Sequence, residues 1–503
     1  MTTHSRVIEI FRSLGSDVNL ETLQGLKVTT PWTGENVAHI PLDDTASLNE
    51  KVARAKAAQQ RFSSLPRRGR VKLVETYAKA LKDNQQHLAD IIHIEAGKTP
   101  KEAAGEAGAS ADVLLKAIAD TTLPDVGAIQ RIKERPPAGI VGLITSFNFP
   151  MVVAHWTAGA AFIAGNGIIW KPSEKTPLSA LACKAVFDKA LPAFADLLQV
   201  AIGDRHAVGG PMVAHEDVDI ISATGSVGMG KGIQQTLSDK KNNTLHPILE
   251  LGGNNGVIIG EHVTPEHIAW SVAAIMQSFL GTTGQRCTNT RRIIVHASKL
   301  GEVVATFKNE IENFLSQYST GDGFDRANSF GYGALIDSIE FGNFEHAKQQ
   351  ATEEGGTVLF GNRLHTEKFP NAFYVEPALV LMPQQTPVMH TETFAPLLYV
   401  VPYEGALQNG LALMNAPENA GLVAGIYTLS QQEADEFAAH CEAGHALINS
   451  PKGTGTPAYG MGFGGNKDSG CGEILNSADP LAAFTRPGKF TRIALNKEIV
   501  LQA

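Results

Sequence analysis

The chain has 503 residues, of which 43% are hydrophobic and 18% charged, and its formal net charge is −9. This length exceeds what one simple core accommodates and predicts two or three domains. The composition is that of an ordinary globular protein. No dense block of Lys and Arg is present, which argues against a nucleic-acid-binding protein.

Neither a signal peptide nor a membrane span is expected. The opening MTTHSRVIEIFRSLG has no long apolar run, and no stretch approaches the roughly 20 apolar residues that cross a bilayer. The cysteines are far apart and form no Cys/His cluster: Cys183, Cys287, Cys441 and Cys471. We therefore expect no metal site, and free thiols in the reducing cytoplasm rather than disulfides.

A helical region is predicted first, from about 47 to 119, because apolar residues recur there every three or four positions. Helical stretches then alternate with short apolar runs that end in Gly, Ser or Pro, at 139–146, 167–172, 197–203 and 219–225. This alternation predicts a parallel β-sheet with helical crossovers. Ligands of such sheets bind at the strand ends.

A second alternation begins near Pro247 and predicts another α/β unit. Its strand-like runs are ILELGGNNGVII (248–259), RRIIVHA (291–297), LVAGIYTL (422–429) and HALINS (445–450), with helical stretches at 271–279 and 301–315. The tail KFTRIALN (489–496) alternates in polarity. A lone strand is not stable by itself, so we expect this tail to pair with another sheet edge, such as that of a second subunit.

One cysteine lies in a polar, glycine-containing stretch, GTTGQRCTNTRR (281–292), where Cys287 directly follows Arg286. A nearby cation lowers the pKa of a thiol and favours the nucleophilic thiolate. From this stretch alone, an incidental or buried cysteine is an equally good interpretation.

Two further polar residues end predicted strands. Glu250 follows an apolar run and could be a general base with a raised pKa, although a solvent-facing Glu is the commoner case. Asn148, in ITSFNFP, is either a donor to an oxyanion or a turn residue before Pro150.

Two more strand ends suggest a nucleotide site. Lys171 and Glu174 could hold ribose hydroxyls or form a simple surface ion pair. Gly225 and Ser226 open a predicted helix, whose free N–H groups would attract phosphate. The usual GxGxxG fingerprint is absent, because Ile233 stands where the last glycine would be.

Taken together, these stretches resemble the aldehyde dehydrogenase superfamily over nearly the whole chain. The motifs are FNFP (147–150), WKPSEKTP (170–177), TGS (224–226), ELGGNN (250–255), GQRCT (284–288), ETFAP (392–396) and FGGNKDSGCGE (463–473). Three of them, ELGGNN, GTTGQRCTNTRR and HTETFAPLLYV, look most like the α-aminoadipic semialdehyde dehydrogenase branch, also called antiquitin. Two differences are Ala223, where the superfamily usually has Phe, and WKPSEKTP, which differs from that branch.

The resemblance implies an α/β fold with three parts. A variant Rossmann domain that binds NAD would comprise residues 1–120 and 138–249. An α/β catalytic domain would comprise 250–450. A small β oligomerisation arm would comprise 121–137 and 474–498, and would build a homodimer or homotetramer.

The resemblance also implies residue roles. Cys287 matches the nucleophile, Glu250 the general base and Asn148 the oxyanion donor, together with the Cys287 backbone N–H. The matching cofactor contacts are Lys171 and Glu174 at the adenosine ribose, Gly225 and Ser226 at the pyrophosphate, and Glu392 and Phe394 at the nicotinamide ribose and ring. The carboxylate of Glu174 should repel a 2′-phosphate, which favours NAD over NADP.

For the substrate, the resemblance implies a semialdehyde with an acidic group. Arg286 matches an arginine that binds the distal carboxylate in the antiquitin branch, with Glu106 as the candidate glutamate partner. Trp156 matches the substrate tunnel, whereas His155 is expected to be a packed helix residue.

Two other functions remain open at this stage. A CoA-acylating semialdehyde dehydrogenase also carries GQRC, but that branch lacks the general base, and Glu250 argues against it. A non-catalytic binding protein on the same fold would commonly lose Cys287, Glu250 or Asn148, all of which are present.

Overall fold

A computed structural model describes residues 2–22, 24–121, 136–240, 247–318, 332–455, 463–471 and 481–486. The strands, numbered in chain order, are β1 (Leu26–Thr29), β2 (Asn36–Ile40), β3 (Ile140–Ile144), β4 (Gly167–Lys171), β5 (Leu198–Val200), β6 (Ile220–Thr224), β7 (Ile248–Glu250), β8 (Asn255–Ile259), β9 (Thr290–His296), β10 (Thr357–Phe360), β11 (Arg363–Leu364), β12 (Tyr374–Val375), β13 (Ala378–Leu381), β14 (Leu397–Tyr403), β15 (Val423–Tyr427), β16 (His445–Ile448) and β17 (Gly470–Cys471).

The α-helices are numbered in the same way. They are α1 (Thr3–Leu14), α2 (Thr45–Ser63), α3 (Arg67–Asp83), α4 (Gln85–Ala96), α5 (Pro100–Thr121), α6 (Val152–Ala164), α7 (Pro177–Ala190), α8 (Gly210–Ala214), α9 (Val227–Asp239), α10 (Pro265–Leu280), α11 (Leu300–Gln317), α12 (Ser338–Glu353), α13 (Leu407–Asn415) and α14 (Gln431–His440). None of these helices combines the length and the apolar character needed to cross a membrane.

The first large sheet has six strands in the order β17-β7-β6-β3-β4-β5. All neighbours are parallel except β17, which pairs antiparallel to β7. Strands β3 and β4 are buried along their whole length, as expected where helices cover both faces of a parallel sheet. Residues from α3, α4, α5, α6 and α7 form one core with this sheet, and α2, α8 and α9 contribute to the core on its other face.

The second large sheet has seven strands in the order β10-β13-β14-β9-β8-β15-β16. Its neighbours are parallel except β10, which runs antiparallel to β13. Residues of α10 and α11 share one apolar core with it, and residues of α12, α13 and α14 share another. The two sheets are joined directly, because β7 ends at Glu250 and β8 begins at Asn255.

The structure confirms both predicted alternations of strands and helices. The helical region becomes α2 to α5, and the four short apolar runs become β3 to β6. The β1–β2 hairpin, the strands β10 to β14 and β17 were not predicted. Apart from β14, these strands are short and lack a long apolar run.

Most of the predicted oligomerisation arm lies outside the described residues, including 122–135, 472–480 and the tail 489–496. Its described ends meet each other. Pro137 forms an antiparallel bridge with Thr485, and the Arg486 N–H donates to the Pro136 carbonyl at 2.8 Å. These described residues of the two segments therefore lie next to each other.

Candidate active site

Cys287 lies in the loop between α10 and β9, and the backbone of this loop is unusual. Thr282, Thr283 and Gly284 all have left-handed φ angles, of 51°, 55° and 72°. For β-branched threonine this conformation is strained, and surrounding contacts must hold it. A Cβ on Gly284 would lie 2.3 Å from the carbonyl carbon of Ala395, so only glycine fits there.

Contacts from distant parts of the chain hold the strained turn. The Thr282 N–H donates to Glu102 Oε1 at 2.8 Å, and the Thr283 hydroxyl donates to the Gly333 carbonyl at 2.9 Å. Thr282 and Thr283 are buried. The conformation of the loop thus depends on α5 and on the segment before α12.

Asn255 fixes the backbone of the cysteine itself. Its amide nitrogen donates to the carbonyls of Cys287 at 2.7 Å and Asn289 at 2.8 Å, and its amide oxygen accepts from the Val423 N–H at 3.0 Å. A Cβ on Gly253 would lie 2.4 Å from the Cys287 carbonyl oxygen. The ELGGNN motif therefore supplies both an orienting amide and a glycine that permits close approach.

The surroundings of Cys287 favour the neutral thiol over the thiolate. Burial raises its pKa to about 12, and the carboxylates of Glu392 and Glu250 add to the shift, while Arg291 opposes it. The possibility that Arg286 lowers this pKa is not supported, because the cation that acts on the thiol is Arg291. A nucleophilic thiolate therefore requires a base that removes the proton.

Arg286 points toward α5 instead. Its Nη2 lies 2.8 Å from Glu102 Oε1, its Nε donates to the Thr282 hydroxyl at 2.9 Å, and its guanidinium lies 5.5 Å from the ring centre of Phe149. The partner of Arg286 is therefore Glu102, and the choice of Glu106 was wrong. Glu106 instead pairs with Lys98 at 2.6 Å.

Arg291 is a residue that the motif comparison missed. It is fully buried, donates to the carbonyls of Gly284 at 2.6 Å and Ala395 at 2.9 Å, and lies 5.5 Å from the ring centre of Phe394. Its charge opposes the rise in the pKa of Glu392, which burial brings to about 7. The sequence did contain a signal for this role. Arg291 opens the apolar run RRIIVHA four residues after the cysteine, and a charged residue buried there would need partners.

Glu250 ends β7 as a buried carboxyl, only 8% exposed. Its Oε2 accepts no hydrogen bond from any described residue, and burial raises its pKa to about 8. Its charge acts on Cys287. A carboxyl that is poised near neutrality and lacks a structural partner suits proton transfer better than packing.

Asn148 follows β3 and is buried. Its amide oxygen accepts from the Ser146 hydroxyl at 2.7 Å, which orients the side chain and leaves the NH₂ as the group it can present to a ligand. The aromatic ring of the preceding Phe147 packs edge-on against Phe394, with 5.7 Å between ring centres. The FNFP and ETFAP motifs are thus neighbours in space.

Glu392 approaches the turn after Glu250. Its Oε1 accepts from the Gly253 N–H at 3.2 Å, and a Cβ on Gly252 would lie 2.3 Å from its Oε2. Glu392 and Phe394 therefore lie beside the glycine pair that links the two sheets.

The candidate nucleotide residues occur at the ends of β4 and β6 in the first sheet, with β3 between these two strands. At the end of β4, Lys171 Nζ lies 2.6 Å from Glu174 Oε1. At the end of β6, Ser226 caps α9 by accepting from the Met229 N–H at 3.2 Å. The Gly225 N–H donates to the Glu250 carbonyl at 3.1 Å, which connects this turn to the strand of the candidate base.

Trp156 lies on α6 and stacks on Phe463, with 5.5 Å between ring centres. The next residue toward the N-terminus, His155, is buried, and its ring nitrogens lie 2.8 Å from the Tyr77 hydroxyl and 2.8 Å from the Met151 carbonyl. Burial lowers the pKa of His155 to about 4. His155 is thus a packed, neutral residue, as expected.

The structure brings several of the candidate residues together in three groups. Glu250 and Glu392 both act electrostatically on Cys287. Lys171 joins Glu174, and Arg286 joins Glu102 and Phe149. Within the described ranges, no three His, Cys, Asp or Glu side chains are grouped so that they could hold a metal ion.

A fold of two α/β sheets, with a half-buried thiol and a buried carboxyl at their junction, defines the class of this protein. The chain belongs to the aldehyde dehydrogenase family, whose sequence profile matches residues 19–488. It is therefore an oxidoreductase that acts on aldehydes.

Two curated relatives cover most of the chain. The α-aminoadipic semialdehyde dehydrogenase of Bos taurus is 30% identical over 471 residues, which are 90% of this chain and 83% of the relative. The 3,6-anhydro-α-L-galactose dehydrogenase of a Vibrio species is 29% identical over 87% of this chain and 90% of the relative.

Solved structures agree with the fold. The structure of 3,6-anhydro-L-galactose dehydrogenase in complex with NAP has a TM-score of 0.83 at 27% identity, and the match covers 94% of this chain and 97% of that one. Betaine aldehyde dehydrogenase of Staphylococcus aureus, in complex with NAD⁺, has a TM-score of 0.83 at 21% identity, covering 98% and 99%. The second likeness shows the fold alone.

Proposed function

We propose that this protein uses NAD to oxidise an aldehyde to a carboxylic acid through a thiohemiacetal and a thioester on Cys287. The observation that carries the proposal is the pairing of a half-buried thiol with Glu250, a buried carboxyl whose Oε2 lacks a partner among the described residues and whose pKa is raised to about 8. Covalent catalysis divides one difficult oxidation into two easier steps.

In the first step, the Cys287 thiol loses its proton to a base and attacks the aldehyde carbon. Glu250, when ionised, is our candidate for that base, since its charge acts on the thiol and its Oε2 lacks a partner among the described residues, whereas Glu392 accepts from the Gly253 N–H. The carbonyl oxygen becomes an alkoxide that accepts from the Asn148 amide and the Cys287 backbone N–H. Donors aimed at developing charge in a dry site lower the barrier strongly.

The residues at the strand ends fit a nicotinamide dinucleotide. Lys171 and Glu174 present a donor and an acceptor for ribose, and the start of α9 presents N–H groups without intrahelical partners. A Cβ on Gly228, in the first turn of α9, would meet no atom within 4 Å, so this turn faces open space. When bound, the oxidised nicotinamide would accept a hydride from the former aldehyde carbon. The acyl group would then remain on Cys287 as a thioester.

Before the last step, Glu250 releases the proton taken from the thiol to solvent. The carboxylate then takes a proton from water, and the resulting hydroxide attacks the thioester to release the carboxylic acid and the thiolate. This step distinguishes a hydrolytic enzyme from a CoA-acylating one, in which the acyl group passes to CoA. The raised pKa of Glu250 supports the hydrolytic branch.

A preference for NAD over NADP is proposed from Glu174. Its carboxylate is held at 2.6 Å from Lys171, where it would accept from a ribose hydroxyl and repel a 2′-phosphate. The comparison of kcat/KM for NAD and NADP tests this, and a higher value for NADP would contradict it.

We further propose a semialdehyde with an acidic group as substrate. Arg286 Nη1 donates no hydrogen bond to any described residue, although Nε and Nη2 are engaged by Thr282 and Glu102. The guanidinium therefore retains donors for a carboxylate. The Bos taurus relative, named for α-aminoadipic semialdehyde, is consistent with this substrate class.

The experiment that tests the reaction is formation of NADH by the purified protein with α-aminoadipic semialdehyde, succinic semialdehyde, hexanal and benzaldehyde, with and without CoA. Turnover without CoA is expected, with preference for the acidic substrates. A strict requirement for CoA would contradict the hydrolytic step.

Arg286→Ala tests the substrate. It should raise KM for the acidic aldehydes by about 10- to 100-fold, the value of one charge-assisted contact, and change KM for hexanal much less. Equal changes for acidic and neutral aldehydes would refute the carboxylate contact.

Three less specific properties complete the proposal. The adjoining segments at Pro137 and Thr485 support a β arm that builds a homodimer or homotetramer. The four cysteines are free, which supports a reducing compartment such as the cytoplasm. The partition of the chain into residues 1–120 with 138–249, and 250–450, is likewise supported by the two sheets.

A further inference from the structure

A fully buried ion pair lies behind the candidate oxyanion loop. Lys98 Nζ and Glu106 Oε2 are 2.6 Å apart, and both side chains are only 1% exposed. A buried pair of this kind is expensive to desolvate and is weak evidence for stability on its own. Its position relative to Asn148 suggests another use.

Both members of the pair contact the loop of residues 148–151. Glu106 Oε1 accepts from the backbone N–H groups of Met151 at 2.9 Å and Val152 at 3.3 Å. Lys98 Nζ lies 3.6 Å from the ring centre of Phe149, within the range of a cation–π contact.

The first turn of α6 depends on Glu106 for its cap. Met151, at the N-cap position, forms no side-chain capping hydrogen bond. The carboxylate of Glu106 satisfies N–H groups that have no partner within the helix and interacts favourably with the positive end of the helix dipole. Because Asn148 is only three residues before Met151, fixing this turn and the Phe149 ring restricts where the Asn148 amide can lie.

We infer that Glu106, together with Lys98, is a positioning residue that sets the Asn148 amide at the distance and angle needed to stabilise the alkoxide. This inference rests on the oxyanion role that the proposed function gives to Asn148. Neither Lys98 nor Glu106 touches the reacting atoms in this account, and their effect passes through residues 148–152.

A double-mutant cycle tests the inference. Glu106→Gln keeps an acceptor for the helix start but removes the charge that holds Lys98. Asn148→Ala removes the amide. The readout is the rate of the first-turnover burst of NADH at saturating NAD and aldehyde. In the wild-type background, Glu106→Gln should slow the burst by about 10- to 100-fold, as expected for a misplaced donor, with little change in KM.

In the Asn148→Ala background, the same substitution should change the burst rate by less than about twofold, because no amide is left to position. An equal slowing in both backgrounds would overturn the positioning role while leaving the proposed function intact. If Asn148→Ala by itself leaves the burst rate unchanged, the oxyanion role fails, and the positioning role fails with it.

Glu95→Gln is the matched control. Glu95 is another fully buried glutamate that caps the start of a different helix. It lies near the end of α4 and accepts from the N–H groups of Leu178 at 2.8 Å and Ser179 at 2.5 Å in the first turn of α7. The Glu95→Gln substitution should lower thermal stability, and any effect on the burst rate should be the same with and without Asn148→Ala.

A second variant guards against misfolding. If Glu106→Gln leaves Lys98 as an unpaired buried charge and the protein does not fold, Lys98→Met combined with Glu106→Gln removes both charges. This double substitution should fold and give the same dependence on Asn148. Thermal denaturation of the protein without cofactor verifies folding, and a folded double variant with a wild-type burst rate would overturn the inference.

Discussion

Two turns at the junction of the sheets are built in different ways. The turn at 224–226 is held mainly by its neighbours in sequence, with Ser226 capping α9 through Met229. The loop at 281–287 is held by residues far away in the chain, including Glu102, Asn255 and Gly333. It also contains strained left-handed threonines. Local signals therefore suffice for the candidate phosphate-binding turn, whereas placing the candidate nucleophile requires the whole tertiary structure.

The two turns should therefore respond differently to the loss of a side chain. A turn built from local hydrogen bonds loses about one capping interaction when a side chain is removed. A strained loop that distant contacts hold can relax when one of them is lost, which moves the reacting atom.

The largest effect is expected at the centre of the distantly held loop. Cys287→Ala should reduce NADH formation by more than about 10⁴-fold, because no other group can form the thioester. The Kd for NAD, measured by calorimetry, should change little, since the turn at 224–226 is hydrogen-bonded through Met229 and the Glu250 backbone, which this substitution leaves in place. Activity within tenfold of wild type would refute the nucleophile, and a large loss of NAD affinity would show that the two turns depend on each other.

Glu250 links the two turns, since its carbonyl accepts from Gly225 and its side-chain charge acts on Cys287. Glu250→Gln should lower steady-state kcat by about 10²- to 10⁴-fold, the usual contribution of a general base. We expect the kcat of the wild-type protein to rise as pH increases through about 8, because the carboxylate form of Glu250 predominates above that pKa. The dependence of kcat on pH is measured for both proteins, and loss of the rise in Glu250→Gln would identify Glu250 as the base.

The same pKa predicts a stability effect. Folding raises the pKa of Glu250 from its ordinary 4.5 to about 8, so its contribution to stability is present below about pH 4.5 and lost as pH rises to about 8. Between pH 5 and pH 9, the Tm of the wild-type protein should therefore fall by a few degrees more than that of Glu250→Gln. Parallel curves would mean that Glu250 titrates normally.

Asn255→Ala should have an intermediate effect. It removes the donor to the Cys287 and Asn289 carbonyls and the acceptor for Val423, at a cost of about 2–3 kcal/mol in the free energy of unfolding. The freed loop should lower kcat by about tenfold without raising the Kd for NAD. Unchanged kcat in a folded variant would contradict the role of distant contacts in placing the cysteine.

Ser226→Ala should have the smallest effect. Loss of the N-cap costs on the order of 1 kcal/mol, and the Kd for NAD should rise by about two- to tenfold with the first-turnover rate unchanged. A slower first turnover at saturating NAD would show that this turn also places the nucleophile.

Local patterns in the sequence were sufficient for much of this molecule. The alternation of short apolar runs with helical periods predicts β3 to β9 and the helices between them. The reason is that the spacing of apolar residues differs between a buried strand and a helix with one buried face. The motifs around Cys287, Glu250 and Asn148 identify the family, which the profile match over residues 19–488 confirms.

Other features were decided only by the tertiary structure. Glu102 and Glu106 are four residues apart on α5 and share one helix face, so the sequence cannot tell which of them reaches Arg286. The cation that acts on Cys287 is Arg291, because the adjacent Arg286 turns toward Glu102. The physical reason is that secondary structure follows from neighbouring residues, whereas the charge around a thiol is set by groups that only folding brings together.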